Sequence, residues 1–227
     1  MEFPKTLIKR NGYIERIKPF MRKNIAKVLT GQRRVGKSFL LYQLMDQLLV
    51  EEPDANIIYI NFEDFAFSHI QTAEDMHAYI MSKFRKEKYN YIFVDEIQEI
   101  VNFERVIRSL LLNENNDIYI TGSNAKMLSG ELATYLSGYI EFSVYSLSYL
   151  EFLAFHKLEN NNESLYLYSR YGGLPYLINL PLKDETVNEY LKSVYSTIVF
   201  RDVVSRYNLR NSSFLEKLVQ FLSENIG

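Results

Sequence analysis

The sequence predicts an α/β fold, a parallel sheet packed between helices, followed by an all-helical part. Two observations carry that expectation. Short apolar bursts alternate with segments of helical period up to about residue 145, and no convincing strand follows Val144.

An N-terminal helix is expected to open the first domain. The bursts Ala26 to Leu29, Ile57 to Ile60, Tyr91 to Val94, Ile118 to Ile120 and a weaker Tyr139 to Val144 are rich in Ile, Val and Tyr and bounded by polar residues. Runs of that kind read as strands covered on both faces, as in a parallel sheet. Between them, Ser38 to Val50 has helical period and ends before Pro53. Thr72 to Lys86 spaces Met76, Ile80 and Phe84 four residues apart, and Phe103 to Leu112 repeats Val106, Ile107, Leu110 and Leu111. Right-handed crossovers would join these units. In the helical part, Ser148 to His156 opens with Ser148 and Glu151 at capping-box spacing, and Ser164 to Tyr171 is stopped by Gly172-Gly173. Glu185 to Arg206 and Ser212 to Asn225 follow, and Asn160-Asn161-Asn162 reads as a loop. The expected division is 1–147 for the α/β domain, 148–199 for a helical lid and 200–227 for the start of a further helical domain. Little chain remains to cover the last apolar stripe (Phe214, Leu218, Phe221, Leu222), so the polypeptide is expected to stop inside a domain.

Composition narrows the function classes. The 227 residues are 47% hydrophobic and 24% charged, a balance that supports a packed core. Twenty-six basic against 28 acidic residues leave a charge of −2, so no overall basic field points to nucleic acid or an anionic membrane. The absence of cysteine excludes disulfides, thiol catalysis and Cys-ligated metals, and His69, His77 and His156 have no metal-ligand spacing. No apolar signal core or membrane span is legible, which predicts a soluble, cytoplasmic protein. The 18 tyrosines read as core packing rather than base-stacking platforms.

Gly31-Gln32-Arg33-Arg34-Val35-Gly36-Lys37-Ser38 fits the Gly-x-x-x-x-Gly-Lys-Ser/Thr pattern between an expected strand and an expected helix, with Phe39 next along. In such a loop the glycines let successive N–H groups face phosphate oxygens and the helix N-terminus adds positive potential. Lys37 would meet the terminal phosphates and the Ser38 hydroxyl would ligate Mg²⁺. Tyr91 to Glu96 then supplies an apolar strand ending in two acids: Asp95 as the metal partner, and Glu96 to orient or deprotonate an attacking water. Two more strands deliver polar groups to the same sheet edge, where open parallel sheets bind ligands. Ser123 or Asn124 would bond the γ-phosphate or the water, and Asn61 would hold Glu96 in an inactive rotamer until a partner docks; helix capping is the competing role for each.

These residues, with Thr121-Gly122-Ser123-Asn124, Leu128-Ser129-Gly130-Glu131-Leu132-Ala133-Thr134 and Tyr171-Gly172-Gly173-Leu174-Pro175, resemble the prokaryotic AAA-type ATPases of the AAA_14 group, which carry a C-terminal DUF4143 region. The resemblance covers essentially the whole chain and implies an AAA-like three-layer P-loop sandwich. Members are usually longer, with the DUF4143 part beginning near the equivalent of Phe200 to Val204. It also implies that Pro175, in a Gly-x-Pro element like that of signal-transduction ATPases, sits over the adenine. The family commonly carries Arg where this chain has Tyr139, which implies weak turnover. Arg33, Arg34, Arg170, Arg201 and Arg206 are the cations that would substitute.

The leading expectation is therefore a Mg²⁺-dependent ATPase, with ATP and Mg²⁺ as cofactors, that moves a helical lid. The alternatives are a slow nucleotide-dependent switch for a protein partner or self-association, and the ATPase half of a DNA-handling protein. A kinase or GTPase fits less well, because no Asn-Lys-x-Asp guanine signature is present.

Overall fold

A computed structural model describes residues 7–123, 138–198 and 212–225. All five apolar bursts are strands: β1 (Ala26–Gly31), β2 (Asn56–Asn61), β3 (Asn90–Asp95), β4 (Asn116–Ser123) and β5 (Tyr139–Ser143). They form one sheet in the order β2-β3-β4-β1-β5, and every neighbouring pair is parallel. All five strand C-termini therefore open on the same edge.

Side-chain alternation along the strands builds two cores. Ile58, Ile60, Ile92, Val94, Ile118 and Ile120 face α3 (Ala73–Ser82) and α4 (Phe103–Leu111), meeting Met76, Ile80, Val106 and Ile107. Leu29, Tyr91, Phe93, Tyr119 and Phe142 face α1 (Asn11–Ile17) and α2 (Lys37–Glu51), meeting Ile17, Leu40, Leu44 and Leu48. The result is a three-layer α/β sandwich, as the sequence predicts. Tyr91 and Tyr119 of the sheet are buried, and the Phe93 and Tyr119 rings stack at 4.5 Å.

Helix α3 stops at Ser82 rather than running on to Lys86. Two asparagines intercept the chain there. Asn56 Nδ2 donates to the Lys83 carbonyl (3.0 Å), and the Arg85 N–H donates to Asn90 Oδ1 (2.9 Å).

Beyond β5 the described chain is helical: α5 (Tyr149–His156), α6 (Asn162–Tyr171), α7 (Asp184–Thr197) and α8 (Ser212–Glu224). The capping box at α5 forms as the spacing predicts. The asparagine run is more than a loop, because Asn161 Oδ1 accepts from the Ser164 N–H (2.9 Å) and Asn162 is already helical. Gly172 ends α6 at φ 72°. Pro175 then starts a 3₁₀ turn, Pro175–Asn179, which the sequence pattern did not suggest. On α8, Phe214, Phe221 and Leu222 are exposed. Among the described residues, no helix is long and apolar enough to cross a membrane.

Candidate functional site

The loop from Gly31 to Gly36 turns from β1 into α2 at the sheet's C-terminal edge. Both glycines are demanded by backbone geometry. A Cβ on Gly31 would lie 2.2 Å from the Val144 carbonyl oxygen, where the chain after β5 continues alongside β1 through a Val144 N–H to Thr30 bond (2.7 Å). Gly36 has φ 94°, a left-handed conformation that glycine adopts at little cost, and caps α2. Arg34 shares the left-handed region (φ 65°). Val35 is buried, whereas Gln32 and Arg34 are exposed.

Lys37 is buried, and its ammonium folds back over the loop. It donates to the carbonyls of Gly31 (3.0 Å) and Gln32 (3.1 Å) and stands 3.6 Å from Glu96 Oε1. Asp95, 1% exposed, accepts hydrogen bonds from the hydroxyls of Thr121 and Ser38. Burial pushes the Asp95 carboxyl above the ordinary carboxylate range, and the two hydroxyl donors only partly offset it. Thr121 belongs to β4, between β3 and β1, so it fills the gap between the two halves of the site. Its hydroxyl oxygen also accepts the Glu96 N–H (3.0 Å). Glu96 itself is left-handed (φ 52°), and Gln98 Nε2 donates to its Oε2.

Gly36, Lys37, Ser38 and Glu96 line a pocket of about 610 Å³ whose far wall comes from the helical part, and Asp95 lies buried behind Ser38. Pro175 Cγ lies 3.8 Å from where a Gly36 Cβ would be, so the proline covers the loop. Tyr190 of α7 also lines the pocket, and the Arg34 guanidinium lies 5.9 Å from its ring centroid. Arg33 pairs with Glu63 (3.1 Å). Phe39 is half exposed, with its ring edge-on to Tyr42.

The structure thus brings together Gly31, Gly36, Lys37, Ser38, Asp95, Glu96 and Pro175. Of the two roles weighed for Asn61, it shows the cap: Asn61 Oδ1 accepts the Glu63 N–H (2.9 Å) in the turn after β2, and Gln98 grips Glu96. Arg170 is engaged with Asp184 through Nε (2.6 Å). Ser123 is described only as the strand position opposite Gly31, and Asn124, Arg201 and Arg206 lie outside the described residues. Sequence reading missed Thr121 and Gln98 as site residues. It also missed Arg10, a pocket-lining cation that is 4% exposed. No group of three or more His, Asp or Glu among the described residues is placed to hold a metal; the Ser38 and Asp95 oxygens are the pair suited to a hard cation.

Comparison with known proteins bears on the same region. Residues 23–153 match the family described as an AAA domain. An uncharacterized protein of Haemophilus influenzae is 36% identical over 231 residues, covering 98% of this chain and 57% of that protein. An uncharacterized protein of Methanocaldococcus jannaschii is 30% identical over 215 residues, covering 88% of this chain and 46% of that one. The chain spans about half the length of these curated relatives. Among solved structures, Rhizobiales Trip13 aligns with a TM-score of 0.45 at 15% identity, covering 73% of this chain and 69% of that one.

Proposed function

We propose, from the premise that this chain belongs to the AAA domain family, that it binds ATP with Mg²⁺ in the pocket beneath Pro175 and hydrolyses it to ADP and phosphate. The observation that carries the reading is that a buried ammonium and a buried carboxyl group, Lys37 and Glu96, line one cavity beside a glycine-capped helix N-terminus, with a second buried carboxyl group, Asp95, hydrogen-bonded behind the pocket-lining Ser38. Burial of three ionisable groups is costly unless they are paired, and the cost is understandable where a charged ligand completes the set.

In this reading the N–H groups of the loop and of the first turn of α2 receive the phosphates. Lys37 gives up its contacts with the Gly31 and Gln32 carbonyls for phosphate oxygens. Ser38 Oγ and Asp95 would hold Mg²⁺, which when bound would neutralise charge on the terminal phosphates. Glu96 orients a water and takes its proton as the oxygen attacks the γ-phosphorus; the bond to the β–γ bridging oxygen breaks and ADP leaves. Residues 148–199 act as the lid, with Pro175 against the base, and their position follows the nucleotide state.

A thermal-shift titration with ATP, ADP and GTP, with and without Mg²⁺, beside Lys37→Ala tests the binding. Ligand at 100 times its dissociation constant should stabilise the wild type by about 2.7 kcal/mol, and Lys37→Ala should lose that gain. Mg²⁺-dependent phosphate release no faster than in Glu96→Gln would refute hydrolysis. One observation favours a second reading, a slow nucleotide-dependent switch: Glu96 is clasped by Gln98 and faces Lys37. Tight ATP binding with a nucleotide-dependent protease pattern and scarcely measurable phosphate release would select it.

A further inference from the structure

Arg10 lies before α1, and its side chain hydrogen-bonds residues 25 to 141 positions away. Its backbone N–H donates to Gln43 Oε1 of α2 (2.9 Å), and Gln43 Nε2 returns a bond to the Ile8 carbonyl (2.9 Å), so the segment is pinned to the helix that follows the phosphate loop. Its guanidinium is shared three ways. Nη1 donates to the carbonyls of Val35 (3.1 Å) and Tyr145 (3.1 Å), Nη2 reaches the Ser146 carbonyl (3.5 Å), and Nε and Nη2 grip the two oxygens of Glu151 at 2.7 and 3.0 Å. The Tyr13 ring covers it at 4.6 Å. Glu151 is also the capping-box residue of α5, accepting the Ser148 N–H (2.9 Å). One planar cation therefore touches the phosphate loop, the chain leaving β5 and the first turn of the helical part.

The contact with Val35 has a stereochemical consequence. In a trans peptide the C=O and the following N–H point in opposite directions, and no peptide among the described residues is cis. Holding the Val35 oxygen toward Arg10 turns the Gly36 N–H away from it. At a left-handed glycine that freely samples other backbone conformations, this matters more than at an ordinary residue. Lysine could not replace this fork, because a single ammonium cannot serve two carbonyls and both oxygens of a carboxylate in fixed geometry.

We propose that Arg10 is a positioning residue: it fixes the Val35–Gly36 peptide for anion binding and ties that orientation to the start of α5. Phosphate binding and docking of the helical part then reinforce one another, and by linkage each stabilises the other equally. The inference rests on the reading of the pocket as a nucleotide site.

The test compares wild type, Arg10→Lys, Glu151→Gln and Lys37→Ala in the whole chain. Dissociation constants for Mg-ATP and Mg-ADP come from calorimetry, and hydrogen exchange at the amides of residues 149–153 is followed with and without saturating Mg-ATP. Arg10→Lys should weaken both nucleotides by about tenfold or more, the scale of a lost charge-assisted hydrogen bond. ATP should slow exchange at 149–153 in wild type and much less in Arg10→Lys. Glu151→Gln keeps a capping-box partner and should lose the protection of 149–153 with a smaller loss of affinity. An Arg10→Lys protein with a lowered melting temperature but wild-type affinity and wild-type protection would overturn the inference, because that is the signature of a purely structural arginine. If Arg10→Lys does not fold, Glu151→Gln decides, and unchanged ATP protection at 149–153 refutes the coupling. Wild type that binds no nucleotide overturns the nucleotide-site reading as well, which distinguishes the two failures.

Discussion

At the scale of single residues, the site is a set of groups each held short of its preferred state. Asp95 sits where burial disfavours its charge, and the Ser38 and Thr121 hydroxyls compensate only in part, so its folded-state affinity for a proton exceeds that of an ordinary aspartate at about 3.9. The sign of the linkage follows. Near neutral pH the ionised side chain costs stability, and the cost disappears as pH falls and the folded protein takes up the proton first. Without Mg²⁺, Asp95→Asn should therefore raise the urea midpoint near neutral pH, and the gap from wild type should close as pH falls through the raised value. Asparagine keeps an acceptor for Thr121 and can accept from or donate to Ser38. An Asp95→Asn protein less stable than wild type near neutral pH would mean that the hydroxyls already outweigh burial. Glu96 is displaced in another way, with a left-handed backbone of the kind that a non-glycine residue adopts at a cost of about 1–3 kcal/mol and that collects at functional sites.

At the scale of elements, the opposite edge of the sheet shows what fixes β1 against β4. Lys27 and Asp117 are both fully buried and paired, and Asp117 also accepts the Arg22 N–H (2.7 Å) and the Tyr119 hydroxyl (2.8 Å). Burial lowers the Lys27 pKa despite its partner. Removing one charge strands the other, so Asp117→Ala should cost about 3–5 kcal/mol by urea denaturation, whereas Lys27→Met with Asp117→Leu should cost far less. Equal losses in the single and double variants would mean that packing, not charge, dominates there. The strands were legible because each is built round a short apolar run, clearest in β3, which is buried along its whole length, and weakest in β5, where Glu141 and Ser143 interrupt it. Pro175 was reached only through the family resemblance, whereas the loop, Asp95 and Glu96 were legible because their spacing to a strand end or a glycine is local. The end of α3 was not, since Asn56 and Asn90 intercept it from neighbouring strands. Nor were Thr121, which meets Asp95 across 26 positions, or Arg10, which meets Glu151 across 141. A side chain whose partner is supplied by sheet order carries no periodic signal in its own segment.

For the molecule as a whole, the shape of the pocket depends on how closely the helical part approaches the sheet edge, and that approach is set by two backbones. The Leu147 N–H donates to the Gly173 carbonyl (2.7 Å), and the Tyr168 hydroxyl donates to the Leu147 carbonyl (2.9 Å). A Cβ on Gly173 would lie 2.3 Å from that same Leu147 oxygen. Neither chain can yield as a flexible side chain would, so the glycine sets the separation from which Pro175 reaches the loop. Gly173→Ala should push the 3₁₀ turn off Gly36 while leaving both sheet cores untouched, an overpacking cost of about 1–3 kcal/mol. If that strain is relieved by withdrawal of the helical part, ATP affinity should fall by about tenfold. The segment 172–183 should then become sensitive to protease while the α/β part stays resistant. Wild-type affinity with a wild-type cleavage pattern would mean that the pocket binds nucleotide without needing Pro175 against the base, and the sheet edge alone would then have to hold it.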